Sequence, residues 1–476
     1  MSSRCRRLPS PQTPVLAWLL QLAVALATAG PVAATPQDGA LDTSLAGTGK
    51  LVYSPTLPGT WSVAASGRTR DDLAYWWAGT LNDGVTARFA YAMEGASGPG
   101  NMDCAYTIPG ATNVELAGAG FDIFDRLVLA GWATIGGLQR FVAARIPLPE
   151  ASCGALDTAF DETGGNADGW AIYNFTNHAQ MNAMALDRLG GITLVGRFQG
   201  ATHRDILVVR LLSNGHLDTG FDADGVKTLD WAGANDSGTA IAVSESPAGT
   251  LHLWIAAYVT WNSPPTNTDE DFYVVKLATT GTIESNHTIT FDAGGQLHDE
   301  PTAIAWDAGR KKIYVVGQVN ESSQSNLIGV ARLDDSGALD STFSGDGKMT
   351  LHFPGTPSTA LDFPAAVAVQ SDGKAIVAGI HLDLAAPNYD VGVARLTSAG
   401  ALDPTFDTDG RLLVAFDLGG ELTDSAADIR LGDGRPLVGL SAQDSSTHYV
   451  PALLRLWNPL IFRDGFESGL LNPWAP

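Results

Sequence analysis

Carboxylates dominate the chemistry this chain could perform, with 51 Asp and Glu against 28 Lys and Arg and a formal charge of −23. Two acidic segments, Asp222-Ala223-Asp224-Gly225 and Asp407-Thr408-Asp409-Gly410, begin as a calcium loop begins. Calcium takes roughly six to eight oxygens, and neither segment adds the further spaced Asp and closing Glu. Both read first as turns, and calcium is the one cofactor they could take. The nine histidines show no His-Glu-x-x-His or comparable metal spacing. Neither a Gly-x-Ser-x-Gly elbow with recognisable partners nor a phosphate loop occurs. His216, just before Leu217-Asp218, reads as a solvent-facing turn residue. The sequence therefore nominates no catalytic, cofactor-binding or metal-ligating residue. Carboxylate pairs for glycoside cleavage are defined by separation in space, so a polysaccharide-active hydrolase or lyase stays open. Cys104 and Cys153 form an even pair once Cys5 is removed with a leader, and an exported chain can oxidise them to a disulfide.

The elements that must position these groups announce themselves by repetition. An acidic residue opening a turn recurs at Asp42, Asp103, Asp157, Asp218, Glu284, Asp340 and Asp403. A basic residue ending an apolar strand recurs at Arg88, Arg145, Arg210, Lys276, Arg332, Arg395 and Arg455. A small residue closing an apolar run recurs at Gly79, Gly131, Gly196, Ala257, Gly317, Gly379 and Gly439. Three ladders with a common period of about 60 residues indicate a repeat architecture. The clearest unit, 339–401, holds four strand-like runs at Lys348–Phe353, Ala365–Gln370, Lys374–Ile380 and Asp390–Leu396. Ser371-Asp372-Gly373-Lys374 supplies a hairpin turn between the second and third. An aromatic ends the first run at Phe175, Trp231, Phe291, Phe353 and Phe416 and reads as core.

These observations predict an all-β fold, a seven-bladed β-propeller of about 60-residue repeats with four antiparallel strands per blade. A group needed once for catalysis has no reason to recur in every unit, so the repeated acid and base read as structural ion pairs. Arg455 has no acidic successor and Asp42 no basic predecessor, so the N-terminal segment is expected to dock beside Arg455. The loops at 261–267, 320–324 and 384–388 differ between units and are the expected binding surface.

Arg4, Arg6 and Arg7 precede an uncharged run from Val15 to Ala29 and small-residue cleavage options at Ala34 or Ala29. The expected organisation is a signal peptide at 1–34, the propeller at 35–457 and a tail motif at 458–476. The protein is expected to be exported (extracellular, cell surface or periplasm), with no membrane span. An acidic surface makes nucleic acid a poor partner. An extracellular glycan, peptide or protein remains the expected partner, with a structural cell-surface role as the third possibility.

The strings Leu339-Asp340-Ser341-Thr342-Phe343, Ser371-Asp372-Gly373-Lys374 and Val391-Gly392-Val393-Ala394-Arg395-Leu396 closely resemble the bacterial Delta-60 repeat. That resemblance implies an exported, propeller-like protein and adds almost nothing on biochemical role. The tail around Ile461–Gly469 looks like a terminal motif common in exported proteins of some Gram-negative bacteria, which implies sorting or surface retention.

Overall fold

The computed structural model describes residues 37–458, apart from 72, 96–101, 148–152, 163–167, 232, 264–266, 292–297, 323–324, 355–359, 385–387, 420–422, 433 and 446. The expected signal peptide, and the tail beyond Asn458, lie outside the described residues.

Alternating apolar and polar residues with Gly-containing turns yield antiparallel sheets, five of four strands and one of eight. The eight-stranded sheet is two four-stranded halves joined by a single parallel bridge, Asn326 to Leu361. The first strands of successive four-stranded units are Thr60–Arg68, Ala111–Phe121, Ala179–Leu186, Asp236–Glu245, Asp299–Asp307, Ala360–Val369 and Asp424–Gly432. Each packs on the next, and Asp424–Gly432 also packs on Thr60–Arg68. The fold is all-β and propeller-like. Its core consists of apolar layers between neighbouring sheets, such as Ile376, Val393, Val438 and Leu454.

Sequence repeat and sheet are out of phase by one strand. Lys348–Leu351, read as the first strand of its unit, pairs with Ser325–Asp334 as the fourth strand of the preceding sheet. In every sheet but the last, the small-residue ladder faces a bulge in the first strand. A Cβ on Gly196 would lie 2.0 Å from the Gln180 carbonyl oxygen, so only glycine admits that backbone. Where the ladder carries Ala257, its cross-strand partner is Gly238, and the glycine has changed strands. In the last sheet the bulge falls at Ala426/Asp428, opposite Leu440, so Gly439 stands one residue out of register with the ladder. The hairpin at 370–374 forms with Gly373 at φ 85°, whereas after Asp307 the left-handed residue is Lys311 rather than Gly309.

The acid and base ladders meet as ion pairs: Arg145–Asp157 at 2.7 Å, Arg210–Asp218 at 3.2 Å, Lys276–Glu284 at 3.9 Å, Arg332–Asp340 at 2.9 Å and Arg395–Asp403 at 2.8 Å. Each pair lies within one sheet, between the end of the third strand and the turn to the fourth or, for Glu284, the start of the fourth strand. The link between sheets comes from the base's remaining hydrogens. Arg332 donates to the Ser398 carbonyl, Arg145 to that of Ser213 and Lys276 to that of Asp335, each in the corresponding turn of the next sheet. Arg395 has Asp38 in that place. Arg455 lies 2.9 Å from Asp42, and Lys50–Val52 pairs antiparallel with His448–Arg455.

The first sheet breaks the pattern. Arg88 lies at the start of its strand and pairs with Asp83 at 2.8 Å, and the register puts Met93 where the other sheets carry the base. Without a cation, Asp103 accepts hydrogen bonds from the Tyr53 hydroxyl, the Thr56 hydroxyl and amide, and the Leu57 amide. Cys104 belongs to the strand Met102–Tyr106. It is bonded to Cys153, joining the fourth strand of the first sheet to the segment after Leu138–Ile146.

Burial pulls the Asp340 carboxyl up, but hydrogen bonds from Lys312 and Thr342 and the charge of Arg332 outweigh it and hold it at about 2. Its contribution to stability is therefore complete above its ordinary value of 3.8 and is lost as pH falls through about 2. Asp340→Ala strands a buried guanidinium, and denaturant unfolding at pH 7 should show a loss of about 3–5 kcal/mol. At pH 2 the difference from the parent protein should shrink to a fraction of that.

Candidate functional site

The strands have two unlike ends. One carries the hairpins between first and second strands and the turns between third and fourth, and there Arg and Lys neutralise the repeated acids. The other carries the loops between second and third strands and the connections from each fourth strand to the next sheet. The variable loops at 261–267, 320–324 and 384–388 belong to this second end, although 264–266, 323–324 and 385–387 lie outside the described residues.

At this loop end a second set of buried aspartates starts the first strands. Asp236, Asp299, Asp362 and Asp424 accept the backbone amides of Trp231, Phe291, Phe353 and Phe416, at 2.6, 3.3, 3.2 and 2.6 Å. The bond fixes the path by which the chain enters each new sheet. Burial pushes the Asp236 carboxyl up to about 7 against the pull of the Trp231 and Thr260 amides, and the charges of Asp230 and Asp205 add to the rise. Burial likewise pushes Asp424 up to about 6, opposed by the Phe416 amide and aided by Asp390 and Asp417. Both side chains are sealed from solvent and cannot touch a substrate.

The pairing cations also differ. Arg88–Asp83 apart, the carboxylates in ion pairs at this end, among the described residues, take histidines. His203 faces Asp205 at 3.2 Å and Asp230 at 3.5 Å, His298 faces Glu270 at 3.1 Å, and His448 faces Asp444 at 2.7 Å. Asp362 receives His352 at 2.9 Å and His381 at 2.7 Å. Asp230 and Asp417 are exposed, and Asp205 and Asp390 are half-buried. The accessible face of this end is acidic and does not repeat from sheet to sheet.

The positions singled out from sequence lie at the other end and are occupied. Asp222 pairs with Lys227 at 2.9 Å and Asp409 with Arg411 at 2.8 Å, while Asp222, Ala223, Asp407 and Thr408 adopt left-handed turn backbone. His216 lies 3.2 Å from buried Asp161. The group His203, Asp205 and Asp230 was not legible as a motif, because its third member comes from a different strand.

Residues 190–221, 311–343 and 370–406 match a family described as a domain of unknown function (DUF5122) β-propeller. Each matched stretch runs through the second and third strands to the turn phenylalanine, and so contains one complete base–acid pair. No curated protein matches the sequence. Among solved structures, a protein of unknown function from Dyadobacter fermentans is 10% identical over 86% of this chain and 97% of its own, with a TM-score of 0.41. An ulvan lyase of polysaccharide lyase family PL25 is 10% identical over 86% of this chain and 96% of its own, with a TM-score of 0.48. Sqt1 from Chaetomium thermophilum, bound to the N-terminus of ribosomal protein L10, is 12% identical over 84% of this chain and 97% of its own, at 0.41. Among the described residues, no helix is long and apolar enough to cross a membrane.

A carboxyl raised by burial disfavours folding wherever it must ionise. The cost from Asp424 is absent below its ordinary value of 3.8, grows as pH rises and is complete above about 6. Asp424→Asn should therefore raise the melting temperature at pH 8, by an amount corresponding to roughly 1–3 kcal/mol. The variant should gain little or nothing at pH 4, and melts across that range check both signs.

Proposed function

We propose that this protein is an exported, closed seven-bladed β-propeller that binds an extracellular partner through its loop end and performs no chemistry on it. The observation that carries the reading is the contrast between the two ends. The repeated charges are spent on holding sheets together, whereas the loop end presents non-repeating, accessible acids among loops that differ from unit to unit. Binding sites concentrate on loops held by a rigid scaffold.

The charge narrows the partner. An anionic polysaccharide meets repulsion at this surface, whereas a basic peptide or protein segment meets attraction. The carboxyls most displaced toward neutrality, Asp236 and Asp424, are buried behind aromatic residues, which argues against their use as general acids. Closure of the ring is supported by the pairing of Lys50–Val52 with His448–Arg455 and by the Asp42–Arg455 contact. Export is supported by the charged and apolar opening of the chain and fits the Cys104–Cys153 bond.

The mature protein, residues 35–476, should show a melting temperature raised by a basic peptide or protein ligand through mass action. Asp390→Asn with Asp417→Asn should weaken that shift, whereas Asp372→Asn at the opposite end should leave it intact. An effect confined to Asp372→Asn, or depolymerisation of a polysaccharide in the same panel, would overturn the reading. Expression of the full chain in a Gram-negative host with export machinery should yield a secreted or periplasmic product beginning after Ala34 or Ala29, read by intact mass. A product retaining residues 1–34 would refute export.

A further inference from the structure

The geometry points to a divalent metal site built from His203, Asp205 and Asp230, suited to a first-row transition ion such as zinc rather than to calcium. The inference does not depend on what the loop end binds.

Strand register creates the group. Arg204–Leu211 pairs with Val226–Leu229 with Ile206 opposite Leu229. Continuing that register by one residue sets Asp205 against Asp230. His203, in the bend just before the strand Arg204–Leu211, brings its Nε2 to within 3.2 Å of Asp205 and 3.5 Å of Asp230. Two like charges placed directly opposite each other destabilise a strand pair. A cation between them removes that cost, and the histidine supplies a third ligand.

The separations suit a small ion. Nε2 of His203 lies 3.2 Å from Asp205 Oδ1 and 3.5 Å from Asp230 Oδ2, and one ligand atom from each residue falls within 4.8 Å of the others. Ligands held roughly 2.0–2.2 Å from a tetrahedral zinc stand about 3.3–3.5 Å apart. The imidazole selects against calcium, which takes oxygen ligands. The Nδ1 of His203 is 2.8 Å from the Thr202 hydroxyl, which orients the ring and leaves Nε2 for the metal.

A further observation points to a missing ligand. Asp205 Oδ1 is buried and has no hydrogen-bond partner, because His203 Nε2, although near, is not aligned to donate to it. A buried carboxylate oxygen without a hydrogen-bond donor is costly, and a bound cation satisfies it. Gly200 keeps the space open, since a Cβ there would stand 2.9 Å from the His203 carbonyl oxygen and 3.1 Å from Asp205 Oδ2. Half of the Asp230 side chain is exposed, so the ion has a route in and keeps at least one position for water.

The test uses the mature full chain stripped with chelator and titrated with zinc chloride by calorimetry, with thermal melts alongside. One zinc per chain is expected, with a raised melting temperature that a hundredfold excess of calcium does not displace. His203→Ala and Asp230→Asn should each weaken zinc binding at least tenfold, and His448→Ala, in another histidine–carboxylate pair, should not. Asp230 is exposed, so Asp230→Asn should fold; circular dichroism checks this, and the binding comparison rests on that variant if His203→Ala does not fold. Absence of zinc binding to the wild-type chain, displacement by calcium, or equal affinity in the Asp230→Asn variant would overturn the proposal.

Discussion

A buried cation near the end of the third strand, an arginine in five sheets and Lys276 in a sixth, is the constraint around which this fold is arranged. Arg395 has no solvent exposure, and a charge so placed is tolerated only when its hydrogens find acceptors. The turn that follows supplies a carboxylate, and for Arg145, Lys276, Arg332 and Arg395 the neighbouring turn supplies a carbonyl or a second carboxylate, whereas Arg210 turns to Asp187 and Thr193 of its own sheet. One side chain thus specifies both the turn within its own sheet and the position of the next sheet. Arg395 also reaches Asp38 and Arg455 meets Asp42, so residues from the beginning of the described chain complete what its end requires. The exception sharpens the point. Where Met93 replaces the base, Asp103 is satisfied by hydroxyls and amides, and the neighbouring Cys104–Cys153 bond provides a covalent tie to the next sheet.

Concentrating these pairs at one end leaves the other free to vary. The turn end repeats because every sheet must satisfy the same geometry. At the loop end the recurring device is lighter, a buried aspartate receiving an aromatic residue's amide, and it fixes only the entry to each sheet. Apart from Asp83, which meets Arg88, the ion-paired acids there, among the described residues, meet histidines. Regular ion pairing and sequence variation are thereby assigned to opposite ends of the same strands.

The repeat markers were legible because each answers to a local requirement that tolerates few residues. Glycine at position 196 is dictated by a carbonyl that leaves no room for a Cβ. Errors of register arose where the requirement was met differently. Arg88 has the right type and approximate spacing, but it begins a strand instead of ending one. Gly439 stands beside the bulge position, which Leu440 occupies. The assignment of Lys348–Leu351 to the wrong sheet has another cause: the sequence repeat has no intrinsic starting point, and only hydrogen bonding decides which neighbour a strand joins.

The sequence by itself determined strand content, period, the identity of the structural ion pairs outside the first sheet, and the Asp42–Arg455 pair left over at the two ends of the repeats. These follow from short-range spacing along an extended backbone, where side-chain direction alternates and turn residues are few. Tertiary structure alone decided which irregular groups meet. Asp205 and Asp230 oppose each other only through the pairing of third and fourth strands, and Asp236 joins them only because the next sheet packs alongside. No local preference encodes such an encounter; it is fixed by register and by the packing of sheets, which are collective properties of the folded chain.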